Sequence, residues 1–212
     1  TKIAIVSRES DGASGWDHVY PGWPIETTLD ATTRYKIEPS VVVADPEFSA
    51  SLLSTGLSEN TYKYIVTDGN QKILVVPSDL GETAAYSTNA GTSWTNSVSP
   101  LGNTKTAVGA VWTGQEFLVA DNSEDIYSTS SGDVTSLTSS GPFGHGGSFT
   151  GIASDGLGNA VAVVSDGTVY HSINHGSSWT VATGGITGIP TYGNGKFIIV
   201  GNAGSVAYST DS

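Results

Sequence analysis

The sequence has no cysteine and no methionine. The first absence removes disulfides, thiolate nucleophiles and cysteine-based zinc or iron–sulfur sites. Basic residues are scarce: 8 Lys and Arg stand against 20 Asp and Glu among 212 residues, a formal net charge of −12. Such a chain repels phosphate backbones, so no nucleic acid is expected among its partners. No apolar run approaches the ~18 residues that cross a bilayer as a helix, so no membrane span is expected either. Charged side chains of both signs make up only 13% of the chain, and no segment keeps a helical period, which argues against a charged helical bundle. Thr1-Lys2-Ile3-Ala4-Ile5-Val6 lacks a basic stretch followed by an apolar core, so no signal peptide is read there.

Small neutral residues fill the space that charge leaves. Gly, Ser and Thr number 27, 29 and 25, the usage of a turn-rich β protein. An internal repeat organises them. Ser87-Thr88-Asn89-Ala90-Gly91-Thr92-Ser93-Trp94 and Ser172-Ile173-Asn174-His175-Gly176-Ser177-Ser178-Trp179 share Ser-x-Asn-x-Gly-x-x-Trp. A degraded copy starts at Ser128 and keeps Gly132, with Thr135 where the Trp would stand. A fourth starts at Ser209 and reaches Asp211.

What precedes each copy repeats as well. Each unit has three short β-rich runs divided by Gly, Asn or Asp turns, and a fourth run follows the motif. The second runs are Ile73-Leu74-Val75-Val76, Phe117-Leu118-Val119-Ala120, Val161-Ala162-Val163-Val164 and Phe197-Ile198-Ile199-Val200. They are apolar throughout, as strands buried on both faces are. A four-stranded unit every ~40–45 residues is the signature of a β-propeller blade. One small twisted sheet cannot hide both faces alone, so blades stack and cover each other.

The motif resembles the Asp-box, or BNR repeat, of sialidase-type and related propellers, over about residues 62–212. That resemblance implies a turn between the third and fourth strands of a blade, with Asn or Asp binding turn amides, Gly permitting the tight backbone, and Trp wedged against the blade. Ser87, Asn89, Gly91, Trp94, Ser128, Gly132, Ser172, Asn174, Gly176, Trp179, Ser209 and Asp211 take these structural places. The box implies architecture and no chemistry. Tyr86, Tyr127 and Tyr208 recur at the blade period with Trp94 and Trp179 and are read as core wedges.

The expected fold is therefore all-β: a small propeller of four-stranded antiparallel blades at about residues 62–100, 101–141, 142–185 and 186–212. Residues 1–61 are less regular and rich in Pro. The favoured reading gives them a ring-closing strand plus an irregular further blade, five blades in all. The alternative is four blades with an amino-terminal docking arm.

Sialidase activity grips a carboxylate with three arginines, and this chain has only Arg8 and Arg34. Other glycosidases need two carboxylates across a sugar. The loops between second and third strands hold Asp79, Glu82, Asp121, Glu124, Asp125 and Asp166 on one face, best explained by solubility and turn formation. Asp121, Glu124 and Asp125 are kept as candidate contacts for a cation or a basic partner, although no calcium-loop spacing occurs. His171 and His175 are four apart but lie in a turn and lack the Glu of a zinc-protease helix; both are expected to be solvent-exposed. Phe143 and His145, in a Gly-rich inter-blade loop, and Trp23, outside the boxes, are candidate ligand or partner contacts. No catalytic residue, cofactor or metal ligand is assigned.

Function is less legible than fold. The leading expectation is a non-enzymatic structural or adhesive component of a virus particle, because Asp-box propellers are similar to modules of bacteriophage tail proteins. It would be made in the host cytoplasm and reside in the virion, as a tail, nozzle or decoration protein. Its partners would be other virion proteins or copies of itself. The alternative is a lectin-like propeller that binds a host-surface glycan on aromatic platforms.

Overall fold

The computed structural model describes residues 57, 61–78, 83–96, 105–130, 132–141, 143–144, 146–182 and 185–209. They form four antiparallel sheets, the blades of a small all-β propeller. Blade 1 comprises β1 (Tyr62–Thr67), β2 (Ile73–Pro77), β3 (Ala85–Ser87) and β4 (Thr95–Asn96). Blade 2 comprises β5 (Ala107–Trp112), β6 (Phe117–Asp121), β7 (Ile126–Ser130) and β8 (Asp133–Ser139). Blade 3 comprises β9 (Phe149–Ser154), β10 (Ala160–Val164), β11 (Val169–Ser172) and β12 (Thr180–Val181). In blade 4 the described strands are β13 (Gly188–Gly193), β14 (Lys196–Gly201) and β15 (Val206–Tyr208). Among the described residues the sole helical piece is the 3-10 turn Asn202–Gly204, and no helix is long and apolar enough to cross a membrane. Four blades are present among the described residues; the fifth that the sequence favours would fall on residues 1–61, which apart from Leu57 and Thr61 lie outside them.

Short turns close the first hairpin of each blade. Asp68 Oδ1 accepts from the amides of Asn70 (2.8 Å) and Lys72 (3.0 Å), and Asp155 Oδ1 accepts from Leu157 (2.7 Å) and Asn159 (3.0 Å). An aspartate that binds the amides two and four residues on fixes the reversal locally. Blade 4 uses Asn194-Gly195 instead, both at positive φ, the pairing a two-residue hairpin demands.

Alternation along the second strands builds the core. Leu74 and Val76 pack with Phe117, Val119, Val134 and Leu137 between blades 1 and 2. Leu118, Ala120 and Ile126 pack with Phe149, Ile152, Ala162 and Val164 between blades 2 and 3. Val161, Val163 and Val169 pack with Phe197 and Ile199 between blades 3 and 4. Neighbours such as Leu118 and Val119 thus enter opposite interfaces, and both are fully buried. Each such side chain contributes roughly 1.5–3 kcal/mol of burial. Inner strands approach closely where side chains are absent: a Cβ on Gly109 would lie 2.9 Å from Ile152 Cγ2, and one on Gly151 would lie 2.9 Å from Pro190 Cδ.

The far face of blade 4 breaks this pattern. Ile189, Val200, Val206 and Tyr208 share it and are 55–67% exposed. Tyr208 is therefore not the core wedge that its period suggests. It follows the blade repeat, but the face it stands on is open.

Candidate functional site

The boxes lie between β3 and β4 and between β11 and β12. In the first, Ser87 Oγ donates to Asn89 Oδ1 (2.9 Å) and accepts from the Gly91 amide (2.9 Å). Asn89 Oδ1 also accepts from the Ser93 amide (2.9 Å), and Trp94 Nε1 donates to the Gly91 carbonyl (3.1 Å). Ser172, Asn174, Gly176, Ser178 and Trp179 repeat every one of these bonds within 0.1 Å. The polar groups are consumed inside the turn, so both boxes are structural.

Blade 2 corrects one assignment. The counterpart of Ser87 and Ser172 is Thr129, one residue after Ser128. Thr129 Oγ1 accepts from the Phe117 amide (2.9 Å), as Ser209 Oγ accepts from the Phe197 amide (3.0 Å). No box Asn follows it. The Glu116 carboxylate replaces that group, accepting from Thr129 Oγ1 (2.8 Å) and the Gly132 amide (3.0 Å). Sequence spacing could not show this, because Glu116 reaches the turn from the start of β6.

The acidic loop face is built around a cation that the sequence reading overlooked. Lys105 Nζ pairs with Asp121 Oδ2 (3.2 Å) and with Asp125 Oδ2, and donates to Tyr127 Oη (2.9 Å). Asp121 has no solvent-exposed side-chain surface. Its Oδ1 accepts from the Ser123 amide (2.8 Å), the Ser123 hydroxyl (2.8 Å) and the Asp125 amide (3.2 Å). Ser139 Oγ donates to Asp125 Oδ1 (2.7 Å). Burial alone would raise the Asp125 carboxyl, but the Lys105 and Ser139 hydrogen bonds outweigh it and hold the group below the usual carboxylate range. Burial likewise opposes charge on Lys105, yet its bonds to Asp125, Tyr127 and Asp121 keep it above the ordinary lysine value.

Beside this network an open cleft of about 620 Å³ lies between residues 122–125 and residues 146–148 with Ser165. Glu124 Oε1 accepts from the Gly146 amide (2.8 Å) at its wall. The structure brings Asp121, Glu124 and Asp125 together, as the loop order implied, and ties each to a partner within the fold. A glycosidase needs one carboxyl held protonated to act as acid. Asp125 is driven the other way. Among the described residues no three His, Asp or Glu side chains are placed to hold a metal ion.

Phe143 is a packing residue rather than an outward contact. Its ring meets those of Tyr170 (5.1 Å), Phe149 (5.6 Å) and Trp179 (6.1 Å) edge to face. His171 and His175 are half-buried instead of exposed. His175 Nδ1 lies 3.0 Å from the Thr113 carbonyl oxygen and so ties the blade 3 box to blade 2. Trp23, His145 and Asp211 lie outside the described residues.

No family model matches the chain, and no curated protein does. Solved structures do. A chain described as YCF48 bound to D1 peptide superposes with a TM-score of 0.55 at 15% identity over 71% of this chain. The computationally designed Ika4 protein gives 0.57 at 10% identity over 77% of this chain and 99% of its own. An ancestral GH74 enzyme gives 0.54 at 19% identity over 72% of this chain. This chain spans 50% of the YCF48 chain and 23% of the enzyme. At these identities the likeness is one of fold, and it is to propellers of differing activity.

Proposed function

We propose that this chain is a non-enzymatic propeller that works through protein–protein contacts, as a structural component of a virus particle in the tail, nozzle or decoration layer. The observation that carries the contact reading is the open face of blade 4. Ile189, Val200, Val206 and Tyr208 present apolar surface where the matching faces of the other blades are packed. Monomers seldom leave such a patch to water unless it binds something. The closed hydrogen bonding of the boxes and of the Asp121–Asp125 loop favours the non-enzymatic reading, because those groups already have partners. The peptide in the YCF48 description is in keeping with a propeller that takes a protein ligand. The virion setting rests on the resemblance of the boxes to those of phage tail modules.

Electron microscopy of purified particles, with the protein located by a bound antibody fragment, tests the setting. Regular sites at fixed copy number support it. Absence from particles, together with a glycan-array signal or glycoside turnover by the pure protein, overturns it.

A further inference from the structure

Blades 1 and 3 build their box ends on one plan. Ile73 pairs with Ser87 and Ala160 with Ser172, which sets the two blades in register. Their first hairpin turns coincide as well. Thr67 Oγ1 accepts from the Gly69 amide (3.0 Å) as Ser154 Oγ does from the Gly156 amide (3.1 Å), and Asp68 and Asp155 bind their turns alike. The Ala90 amide donates to the Gln71 carbonyl, and the His175 amide to the Gly158 carbonyl, both at 2.9 Å, so box and hairpin are tied together in each blade. The backbone is shared, and the side chains that point outward are left to vary.

They vary in one direction. Asn70, Thr88 and Asn96 of blade 1 correspond to Leu157, Ile173 and Val181 of blade 3. These are the exposed large apolar side chains of blade 3 among the described residues, at 82, 77 and 56%. Blade 1 forms the same corner with polar residues at all three places, so folding does not call for the apolar ones. Single exposed aliphatics are ordinary; three on one corner mark a contact. The corner of blade 3 is also braced where that of blade 1 is not. His175 Nδ1 lies 3.0 Å from the Thr113 carbonyl oxygen of blade 2, a tie that Ala90 cannot make. Gly114 of blade 2 backs so closely onto the Gly156 carbonyl that a Cβ there would clash. Side chains fixed in advance lose little freedom on binding.

We propose that this corner of blade 3 is a docking knob that enters a neutral, apolar pocket on a partner protein. Turn tips project, so the partner supplies the concave side. Residues 154–159 and 172–181 hold one carboxylate, Asp155, and both of its oxygens are engaged inside the turn. A charged pocket would find nothing to pair with there. The same segments have no Lys or Arg, which membrane-surface segments set beside their apolar residues, and the chain carries a net −12. An anionic bilayer is therefore the poorer host. The three apolar side chains offer roughly 400 Å², about half of the ~800 Å² each partner gives a standard interface. Asn174, Ser177 and Thr180, exposed beside them, supply the neutral polar rim such a contact has.

This site rests on the protein-contact reading above and adds a second surface to the face of blade 4. Its test gives blade 3 the residues of blade 1, combining Leu157→Asn, Ile173→Thr and Val181→Asn in the full chain. The triple variant is expected to melt within about 2 °C of the wild type. In a lysate of the cells that make the protein, a benzophenone side chain in place of Leu157 or Ile173 should cross-link to one partner protein, in an uncharged apolar segment. The same group in place of Asn70 or Thr88 should not. Unlabelled wild type should suppress the adduct at least about tenfold more effectively than the triple variant. No protein adduct, equal adducts from all four positions, or an adduct in a charged segment overturns the proposal. Adsorption of the wild type, but not of the triple variant, to phosphatidylcholine vesicles overturns it too, because the knob would then be a lipid contact. A triple variant that melts many degrees lower does the same, since the trio would then serve the fold. An adduct in a protein absent from particles keeps this site while the virion setting falls. No adduct, while Val200→Asp detaches the protein from particles, loses the corner and leaves the contact reading standing.

Discussion

Thr129 Oγ1 donates to Glu116 Oε2 at 2.8 Å, and both side chains are buried. This bond rebuilds a box that the sequence had let decay. The same carboxylate takes the Gly132 amide, a group that Ser87 or Ser172 accepts in its own turn. Glu116→Ala would leave a buried hydroxyl and a buried amide without this acceptor and is expected to cost about 2–3 kcal/mol. Glu116→Gln keeps an acceptor oxygen and should cost about 1 kcal/mol or less. Urea midpoints at constant slope measure both, and equal losses would show that the carboxylate does not hold this turn.

The boxes of blades 1 and 3 were legible because every bond in them joins residues at most four apart. Glu116 was not, because it lies 13 residues before Thr129 and arrives through strand pairing. The same divide separates the other outcomes. Apolar second strands announced burial on both faces, and Leu118 and Val119 obey. Val200 belongs to an identical pattern but stands open, since burial of a face depends on what packs there. Phe143 reads as a loop contact by sequence, but Tyr170 and Trp179, 27 and 36 residues on, close around its ring together with the nearby Phe149. Lys105 precedes its blade by two residues, and nothing in its neighbourhood foretold two aspartates.

Gly91 and Gly176 hold equivalent box positions with φ of 85° and 84°. Alanine at either place meets the same backbone strain of about 1–2 kcal/mol. Their surroundings differ. A Cβ on Gly91 would sit 3.7 Å from Ile73 Cδ1, ordinary contact, whereas on Gly176 it would sit 2.7 Å from Leu118 Cδ2 in the core between blades 2 and 3. Gly176→Ala should therefore cost about 1–3 kcal/mol more than Gly91→Ala. Equal thermal shifts for the two variants would show that Leu118 yields without penalty.

Stability should depend on pH through Lys105 and Asp125. The folded Asp125 carboxyl lies below its ordinary value, so its contribution is complete above about pH 4 and is lost as pH falls below that. Lys105 is raised, so its contribution is complete below about pH 10.4 and is lost only on strong alkalinisation. Lys105→Met leaves the fully buried Asp121 without its cation and is expected to cost about 3 kcal/mol at pH 7. That deficit should shrink on acidification, because protonating Asp125 removes the Lys105 pairing that only the wild type has. Melting curves from pH 3 to 7 decide it; parallel curves for the two proteins would remove the network as the source of the acid limb.

Val163 and Val200 are the matched pair that separates position in a blade from packing between blades. Both point from the second strand toward the following interface, and by sequence neither is distinguished from the other. Val163→Thr introduces a fully buried hydroxyl into the apolar cluster of Val169, Phe197 and Ile199, and is expected to lose about 1–3 kcal/mol. Val200→Thr places the hydroxyl on a surface already 55% exposed and should change stability by no more than about 0.5 kcal/mol at low micromolar concentration, where any association is dilute. At higher concentration the second variant should begin to lag behind the wild type, since mass action adds to the stability of whatever binds the native face. Chemical denaturation at two protein concentrations reads both effects at once. A concentration-independent Val200→Thr loss as large as that of Val163→Thr would mean that the far face of blade 4 is packed within each chain.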